Sequence, residues 1–353
     1  MKTNLFGLTL SKMTEEFVSR GQTKFRAKQI FQWIYQKRVL DFDAMTDVSK
    51  AFRAELARDF CLGLPKVFTK QESEDGTIKL LLELSDGHKV ETVLMPYSYG
   101  NAVCVSSQVG CNMGCAFCAS GLLKRDRNLT PAEMVGEVMA MNAILAEHNQ
   151  TVTHIDVMGT GEPFDNFDNV MDFLDIANEP FGLAIGARHI TVSTCGLVPG
   201  IKKYGLDKRQ FNLALSLHAP NDEIRKEIMP VARAYPIDEL LTALHEYQEN
   251  GGRRVTLEYI MLKGLNDTRA CADQLADAIK THEVYALVNL IPYNEVKEKP
   301  YRRSERGAVR AFADRLQELG INATIRKEFG SDIDAACGQL RAKMTRKKEG
   351  ENA

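Results

Sequence analysis

Cys111-Asn112-Met113-Gly114-Cys115-Ala116-Phe117-Cys118 holds three thiols in the pattern C-x3-C-x2-C. An apolar run over residues 102–105 and the polar Ser106-Ser107-Gln108 lead into it, and a basic loop follows. The thiols therefore converge in one loop after an expected strand. Thiolates at this spacing are soft ligands, suited to zinc or to an iron–sulfur cluster. Structural sites use four ligands, so a set of three leaves one coordination position for a substrate. A structural zinc that borrows a fourth ligand, such as Cys104 or a distant His, is the competing reading of the loop alone.

Downstream of the loop, Thr130-Pro131-Ala132-Glu133 combines a capping box with proline at the first helical position. Met134, Val138, Met141 and Leu145 then fall on one helical face. Strands are expected at 102–107, 153–158, 188–193, 211–217, 255–262 and 286–291, with a further one at 322–327 and helices between them. Such alternation implies parallel strands joined by crossover helices. Six units fall short of the eight in a closed barrel. The expected fold class is α/β: a partial (β/α)6 barrel over residues 98–340.

Upstream, residues 1–97 read as a small accessory module of helices followed by a β-hairpin. Phe25, Ile30, Phe31, Ile34 and Tyr35 recur at helical spacing, with Arg26, Lys28, Lys37 and Arg38 elsewhere on the surface. A second helix is expected from Val48 to Phe60. Residues 77–84 and 89–94, separated by Ser85-Asp86-Gly87-His88, read as the hairpin. At the other end, residues 341–353 form a short basic tail carrying Arg341, Lys343, Arg346, Lys347 and Lys348.

A chain of 353 residues with 26% charged and 44% hydrophobic residues suits a globular protein of one large and one smaller domain. No apolar run approaches a membrane span, so no membrane partner is expected. The mildly apolar stretch after Asn4 is too short for a secretory signal. Eight cysteines, three of them bunched, are too few for a disulfide scaffold and favour a reducing cytoplasm. A net charge of −2 gives no global attraction to nucleic acid, so any RNA contact must use local basic patches. Lys124-Arg125-Asp126-Arg127, Arg253-Arg254 and Arg302-Arg303 are such patches, each read by default as a solvated face.

In parallel α/β folds, loops at the C-terminal ends of strands build the active site. Gly159-Thr160-Gly161-Glu162-Pro163 follows the second barrel strand, with glycines that admit close approach and a carboxylate able to pair with an ammonium group. Ser193, the Ser216-Leu217-His218 segment and Asn294 fall at the ends of the third, fourth and sixth strands. Together they outline a polar ring around one mouth.

The cysteine loop resembles that of radical S-adenosylmethionine (SAM) enzymes, with Phe117 in the aromatic place before the last cysteine. Gly159–Pro163 resembles their GGEP motif, with Thr160 as a departure. A more specific likeness lies in Gly330-Ser331-Asp332-Ile333-Asp334-Ala335-Ala336-Cys337-Gly338-Gln339-Leu340. With Val103-Cys104-Val105-Ser106-Ser107-Gln108-Val109-Gly110-Cys111, Ser216-Leu217-His218-Ala219-Pro220-Asn221-Asp222-Glu223 and Val288-Asn289-Leu290-Ile291-Pro292, it resembles the radical SAM RNA adenine methyltransferases of the RlmN/Cfr group over nearly the whole chain.

The resemblance implies a [4Fe-4S] cluster on Cys111, Cys115 and Cys118, with SAM on the open iron and contacted by Gly161, Glu162, Ser193, Ser216, Leu217, His218 and Asn294. Carbon 2 of adenine lies between two ring nitrogens and is too electron-poor to attack a methyl cation equivalent. In the implied scheme one SAM methylates the Cys337 thiolate and a second is cleaved reductively to a radical that activates that methyl group. The carbon radical adds to adenine, an electron leaves, Glu91 accepts the ring proton, and Cys104 attacks the sulfur of Cys337 to release product and leave a transient disulfide. Implied partners are 23S rRNA, tRNA and an electron donor such as a flavodoxin or ferredoxin system. C8 methylation of 23S rRNA by the same machinery is the alternative within the group. A non-catalytic zinc-containing RNA-binding protein and an electron-transfer iron–sulfur protein are the readings from other classes. Cys61, Cys195 and Cys271 read as small buried thiols.

Overall fold

Alternating apolar and polar residues along successive strands dictate a sheet with one face under helices and the other turned away from them. The computed structural model describes residues 2–122 and 124–333. Ten strands form one sheet: β1 (Lys66–Glu72), β2 (Ile78–Glu83), β3 (Lys89–Tyr97), β4 (Gly100–Cys104), β5 (His154–Val157), β6 (Ile190–Thr194), β7 (Asn212–Ser216), β8 (Val255–Met261), β9 (Ala286–Pro292) and β10 (Asn322–Ile325). Their order across the sheet follows the chain. Strands β1 to β4 are antiparallel neighbours, and β4 to β10 run parallel. Six β/α units thus start at β4, and β10 adds a seventh parallel strand, giving the partial barrel.

The crossover helices are α4 (Pro131–Ala146), α5 (Phe167–Asn178), α6 (Val198–Gly205), α7 (Asp222–Ile228), α8 (Ile237–Glu249), α9 (Arg269–Thr281) and α10 (Arg306–Glu318), after the N-terminal α1 (Leu10–Ser19), α2 (Lys24–Tyr35) and α3 (Lys50–Asp59). Helix α4 begins with the expected box: Thr130 Oγ1 accepts from the Glu133 N–H, and Glu133 accepts from the Thr130 N–H. Val103, Ile155, Val157, Val192, Leu213, Leu215, Leu257 and Leu290 pack under the helices in the main core. Each such buried aliphatic side chain contributes about 1.5–3 kcal/mol.

The sequence reading did not anticipate α1, whose helix is capped by Thr9. Nor did it anticipate that β1 to β3 continue the barrel sheet: β3 and β4 pair from Tyr97 with Gly100 to Val93 with Cys104. The helices α1 to α3 share an aromatic core, with Phe17 edge-on to Phe52 at 5.2 Å and to Phe60 at 5.8 Å. They dock on the barrel. Lys12 pairs with Asp172 of α5, and a Cβ on Gly7 would lie 3.3 Å from Ala132 Cβ of α4. No helix among the described residues is long and apolar enough to cross a membrane.

Candidate active site

Period-two alternation puts Cys104, Asp156, Thr191, Ser193, Ser216, Glu258, Asn289 and Thr324 on the sheet face away from the helices. Register aligns many of them: Cys104 with Asp156, Asp156 with Thr191, Ser216 with Glu258, Glu258 with Asn289, and Asn289 with Thr324. A barrel interior that only stabilises is filled with branched apolar side chains. This one is polar. Asn289 Nδ2 donates to Glu258 Oε2 at 2.9 Å, and Thr324 Oγ1 donates to Asn289 Oδ1 at 3.3 Å. Burial pushes the Asp156 and Glu258 carboxyls up, and the Arg326 guanidinium, 4.0 Å from Glu258, draws them back in part.

The cysteine loop hangs over the C-terminal end of this face. Two glycines shape it with positive φ, Gly110 at +83° and Gly114 at +67°. A Cβ on Gly110 would lie 2.1 Å from the Lys124 carbonyl, so only glycine fits there. Short strands Gln108–Val109 and Arg127–Asn128 pair across the base of the loop. The Ala116 N–H donates to the Ile228 carbonyl at 2.8 Å, and Tyr293 OH donates to the Phe117 carbonyl at 3.1 Å. Cys115 and Cys118 border an apolar patch that includes Phe117, Cys195, Ile228, Met229 and Tyr293.

Burial raises the Cys111 thiol to about 11, with repulsion from Cys118 and Glu162 adding to it. Burial, then Cys118 and Cys111, push Cys115 higher still. Thiolates that repel one another in an apolar setting need a cation to bind them. Among the described residues no three potential ligands are already gathered in metal-binding geometry. The soft donor set and its mutual repulsion fit an iron–sulfur cluster, which would supply the charge that draws the loop together.

Gly161 and Glu162 sit against the segment that links β4 to the loop. Ser107 and Gln108 N–H groups donate to the Thr160 carbonyl at 2.9 and 3.1 Å, and the Glu162 N–H donates to Gln108 Oε1 at 3.0 Å. Gly161 has φ +119°, and a Cβ there would lie 2.6 Å from Ser107 Oγ. The buried Glu162 carboxylate accepts the Cys195 N–H at 2.7 Å and the Phe164 N–H at 3.0 Å. Burial raises its pKa, and these donors pull it back. Ser193 is buried on β6, Ser216 ends β7, and Asn294 is exposed just beyond β9.

His218 is buried with φ +61°. Its Nδ1 accepts the Ile260 N–H at 3.1 Å, its carbonyl accepts Asn266 Nδ2 at 2.8 Å, and its ring lies edge-on to Phe117 at 5.0 Å. Nδ1 as acceptor leaves the proton on Nε2. Burial, helped by Arg225, lowers its pKa from 6.5 to about 3. The folded pKa lies below the unfolded one, so this neutral ring stabilises the fold above about pH 6.5, and that contribution is lost as pH falls toward 3. In His218→Asn the acid limb of the stability curve over this window should become shallower, by up to about 1.4 kcal/mol per pH unit in denaturant titrations. An unchanged limb would place the acid sensitivity elsewhere.

Arg225, missed by the sequence reading, is fully buried on α7. Its guanidinium donates to three backbone carbonyls, Cys195 at 2.7 Å, Leu217 at 3.2 Å and Tyr235 at 3.2 Å. It thereby ties the end of β6 to the end of β7. A lone Arg in a polar helix gives no signal of this, because the carbonyls come from other loops.

Cys104 is buried on β4, opposite Val93 of β3. Glu91 lies two residues from Val93 on the same face and is also buried. Its carboxylate meets Lys79 of β2 at 2.8 Å, and the lysine side chain is wholly buried. Lys79 was read only as part of the hairpin. Phe329 packs on the patch formed by Val93, Met95, Ala102 and Cys104, edge-on to Tyr97 at 4.6 Å. Beyond it the Gly330 N–H donates to Asp75 Oδ2 at 2.9 Å, and Asp332 accepts from Ser73 and from the Glu74 N–H. Cys337 and the basic tail lie outside the described residues. Cys195 and Cys271 are buried as expected, and Cys61 is half-buried.

Residues 3–62 match the family model of the ribosomal RNA large subunit methyltransferase N-terminal domain, and residues 105–274 match that of the radical SAM superfamily. A Spiroplasma citri protein named probable dual-specificity RNA methyltransferase RlmN is 52% identical over 341 residues, covering 97% of this chain and 98% of that one. A protein of the same name from Enterococcus faecalis is 50% identical, with 99% of each chain covered. The crystal structure of a radical SAM methyltransferase from Sphaerobacter thermophilus superposes with a TM-score of 0.90 at 44% identity, over 96% of this chain and 99% of that one. The chain therefore belongs to the RlmN family of radical SAM RNA methyltransferases, enzymes that use SAM and a [4Fe-4S] cluster.

Proposed function

We propose that this enzyme methylates C2 of an adenine in 23S rRNA and in tRNA, through S-methylation of Cys337 and at a cost of two SAM per methyl. The observation that supports the reading is that Cys104 and Glu91 are both buried on one sheet face, on neighbouring strands, with Cys104 opposite Val93, on the strand that feeds the loop of Cys111, Cys115 and Cys118. When bound, the cluster and SAM supply reductive formation of a 5′-deoxyadenosyl radical.

The residues divide the remaining work. Cys111, Cys115 and Cys118 would hold the cluster. Gly161, Glu162, Ser193, Ser216, Leu217, His218 and Asn294 orient SAM, with Arg225 fixing the two strand ends that carry most of them. The Cys337 thiolate takes a methyl group from one SAM; that methyl then loses a hydrogen atom to the 5′-deoxyadenosyl radical, its carbon forms the bond to adenine C2, and one electron leaves the adduct. Glu91, held beside Lys79, accepts the ring proton. The Cys104 thiolate then attacks the Cys337 sulfur, breaking the sulfur–carbon bond; the released carbon takes up a proton to become the product methyl group, and the resulting Cys104–Cys337 disulfide is reduced between turnovers. Phe329 against the Cys104 patch supports this pairing, because it anchors the chain eight residues before Cys337 on that face. Electrons come from a flavodoxin or ferredoxin system. Residues 1–97 assist in holding RNA, and a splayed-out base reaches the buried face.

Nucleoside mass spectrometry of rRNA and tRNA from cells with and without the protein tests the reading. The expected result is loss of 2-methyladenosine from both RNA pools in the deletion strain, restored by the wild-type chain and not by Cys337→Ala. Appearance of 8-methyladenosine instead would move the assignment to C8, and an unchanged nucleoside profile would reject it.

A further inference from the structure

A cleft of about 400 Å³ lies beside the polar face, between the ends of β9 and β10 and the start of α10. Arg303, Arg306, Arg310 and Arg326 line it, with Ser304 and a single carboxylate, Glu328. Arg303 is taken up by Glu328 through two contacts of 2.6 Å. Arg306 feels Glu328 only electrostatically, and Arg310 makes no ion pair among the described residues. Both are exposed, and their spacing of four residues puts them on one side of α10.

Arg306 opens α10, and Arg310 lies one turn further on. The first turn of a helix presents unpaired N–H groups and the positive end of the dipole, where acidic side chains are favoured and cations disfavoured. The first turn of α10 begins with Arg306 and has no acidic residue, and the carboxylate of its N-cap, Glu305, is engaged by Lys263 at 2.8 Å. Four arginines converging on one cleft against a single carboxylate describe a receptor for anionic oxygens.

Arg326 belongs both to the cleft lining and to the charges of the polar face. From the cleft wall its guanidinium points to Glu258, and its charge is felt at Asp156, Tyr97 and Cys104. The cleft opens at the same end of the sheet as Ser193, Ser216 and Asn294. An anion held there is therefore at the rim of the mouth through which a base must enter.

We propose that this cleft binds the sugar–phosphate backbone of the RNA strand next to the target adenine, with Arg306 and Arg310 on consecutive phosphates. The inference rests on the reading of the substrate as RNA and assigns the strand's path past α10. It also explains how a chain of net charge −2 holds a polyanion: the contact is local and lies where the backbone must turn to deliver its base.

The test is fluorescence anisotropy of a labelled, unmodified tRNA transcript over a series of KCl concentrations. Wild type is compared with Arg306→Ala/Arg310→Ala and with Arg253→Ala/Arg254→Ala, which removes equal charge at the opposite end of the barrel. Thermal midpoints confirm that all three are folded. The α10 double variant should bind about tenfold more weakly at low salt, and its slope of log affinity against log salt should fall by about two. The control pair should match wild type. Wild-type affinity and slope in the α10 variant, an equal loss in the control pair, or no binding by wild type would each overturn the proposal. Methylation is read separately, as 2-methyladenosine formed by wild type under anaerobic turnover. Wild-type protein that shows the α10-dependent binding but forms no methylated base keeps the cleft as an RNA site and removes the C2 assignment.

Discussion

Protein carrying Cys115→Ala, purified without oxygen, should contain no iron–sulfur cluster and form no methyladenosine, while its metal-free form keeps wild-type stability to within about 1 kcal/mol. Two effects separate here. In the metal-free chain, burial and the neighbouring sulfurs push the Cys115 thiol well above the ordinary range, so it is neutral and its loss removes no charge. The side chain is half-buried and small, and truncation costs little packing. Cluster binding is different, because two thiolates cannot hold three irons. Iron and sulfide analysis with a thermal melt measures both quantities on one sample. Cys195→Ala is the informative companion. Cys195 is buried in the same apolar patch that Cys115 borders, and burial first of all pushes its thiol up as well. It should retain iron. If it lost iron as Cys115→Ala does, Cys195 would be a fourth ligand, and the coordination position left for SAM would be closed.

The parts of this architecture written in the sequence are those that depend on neighbours in the chain. The C-x3-C-x2-C loop, the Thr130 box and the strand-to-helix alternation are local patterns, and each occupies its expected place. The strand Lys66–Glu72 was not legible, because it lies at the sheet edge with mostly exposed residues and no alternating apolar signal. Joining of the hairpin to the barrel sheet was hidden for another reason. Pairing of β3 with β4 needs only the tight Tyr97–Gly100 connection, and a module boundary looks the same in sequence as a tight turn. The functional site divides similarly. Strand-end residues such as Ser216 and His218 can be read from position, whereas Arg225 and Lys79 act through carbonyls and carboxylates on other elements. The arginines of the cleft show in part in the sequence, as Arg302-Arg303, but their relation to a cleft depends on how β10 returns beside β9.

Lys79→Met should destabilise the protein by about 3–5 kcal/mol, the second of the large effects. Lys79 is wholly buried on β2, and its ammonium group lies 2.8 Å from the Glu91 carboxylate on β3, itself almost wholly buried. Register explains the contact: Lys79 faces Val93 and Leu81 faces Glu91, so the two ions sit diagonally on one face. Removing the lysine leaves a carboxylate in a site built for an ion pair. Glu91→Leu alone should cost a similar amount by stranding the ammonium group. The double variant Lys79→Met/Glu91→Leu should recover most of the loss, since well-packed apolar pairs of similar volume match or exceed buried ion pairs in stability. Denaturant unfolding of the four proteins gives the coupling energy directly. The same four proteins then decide why the pair exists. If apolar residues hold the sheet as well, stability does not account for two buried charges beside Cys104. A stable double variant that fails to form methyladenosine assigns the carboxylate to proton removal, with Lys79 keeping it poised in the sheet. A double variant that is stable and still turns over would reduce the pair to a structural feature of the hairpin, and the proton acceptor would have to be sought among Asp156 and Glu258 on the same face.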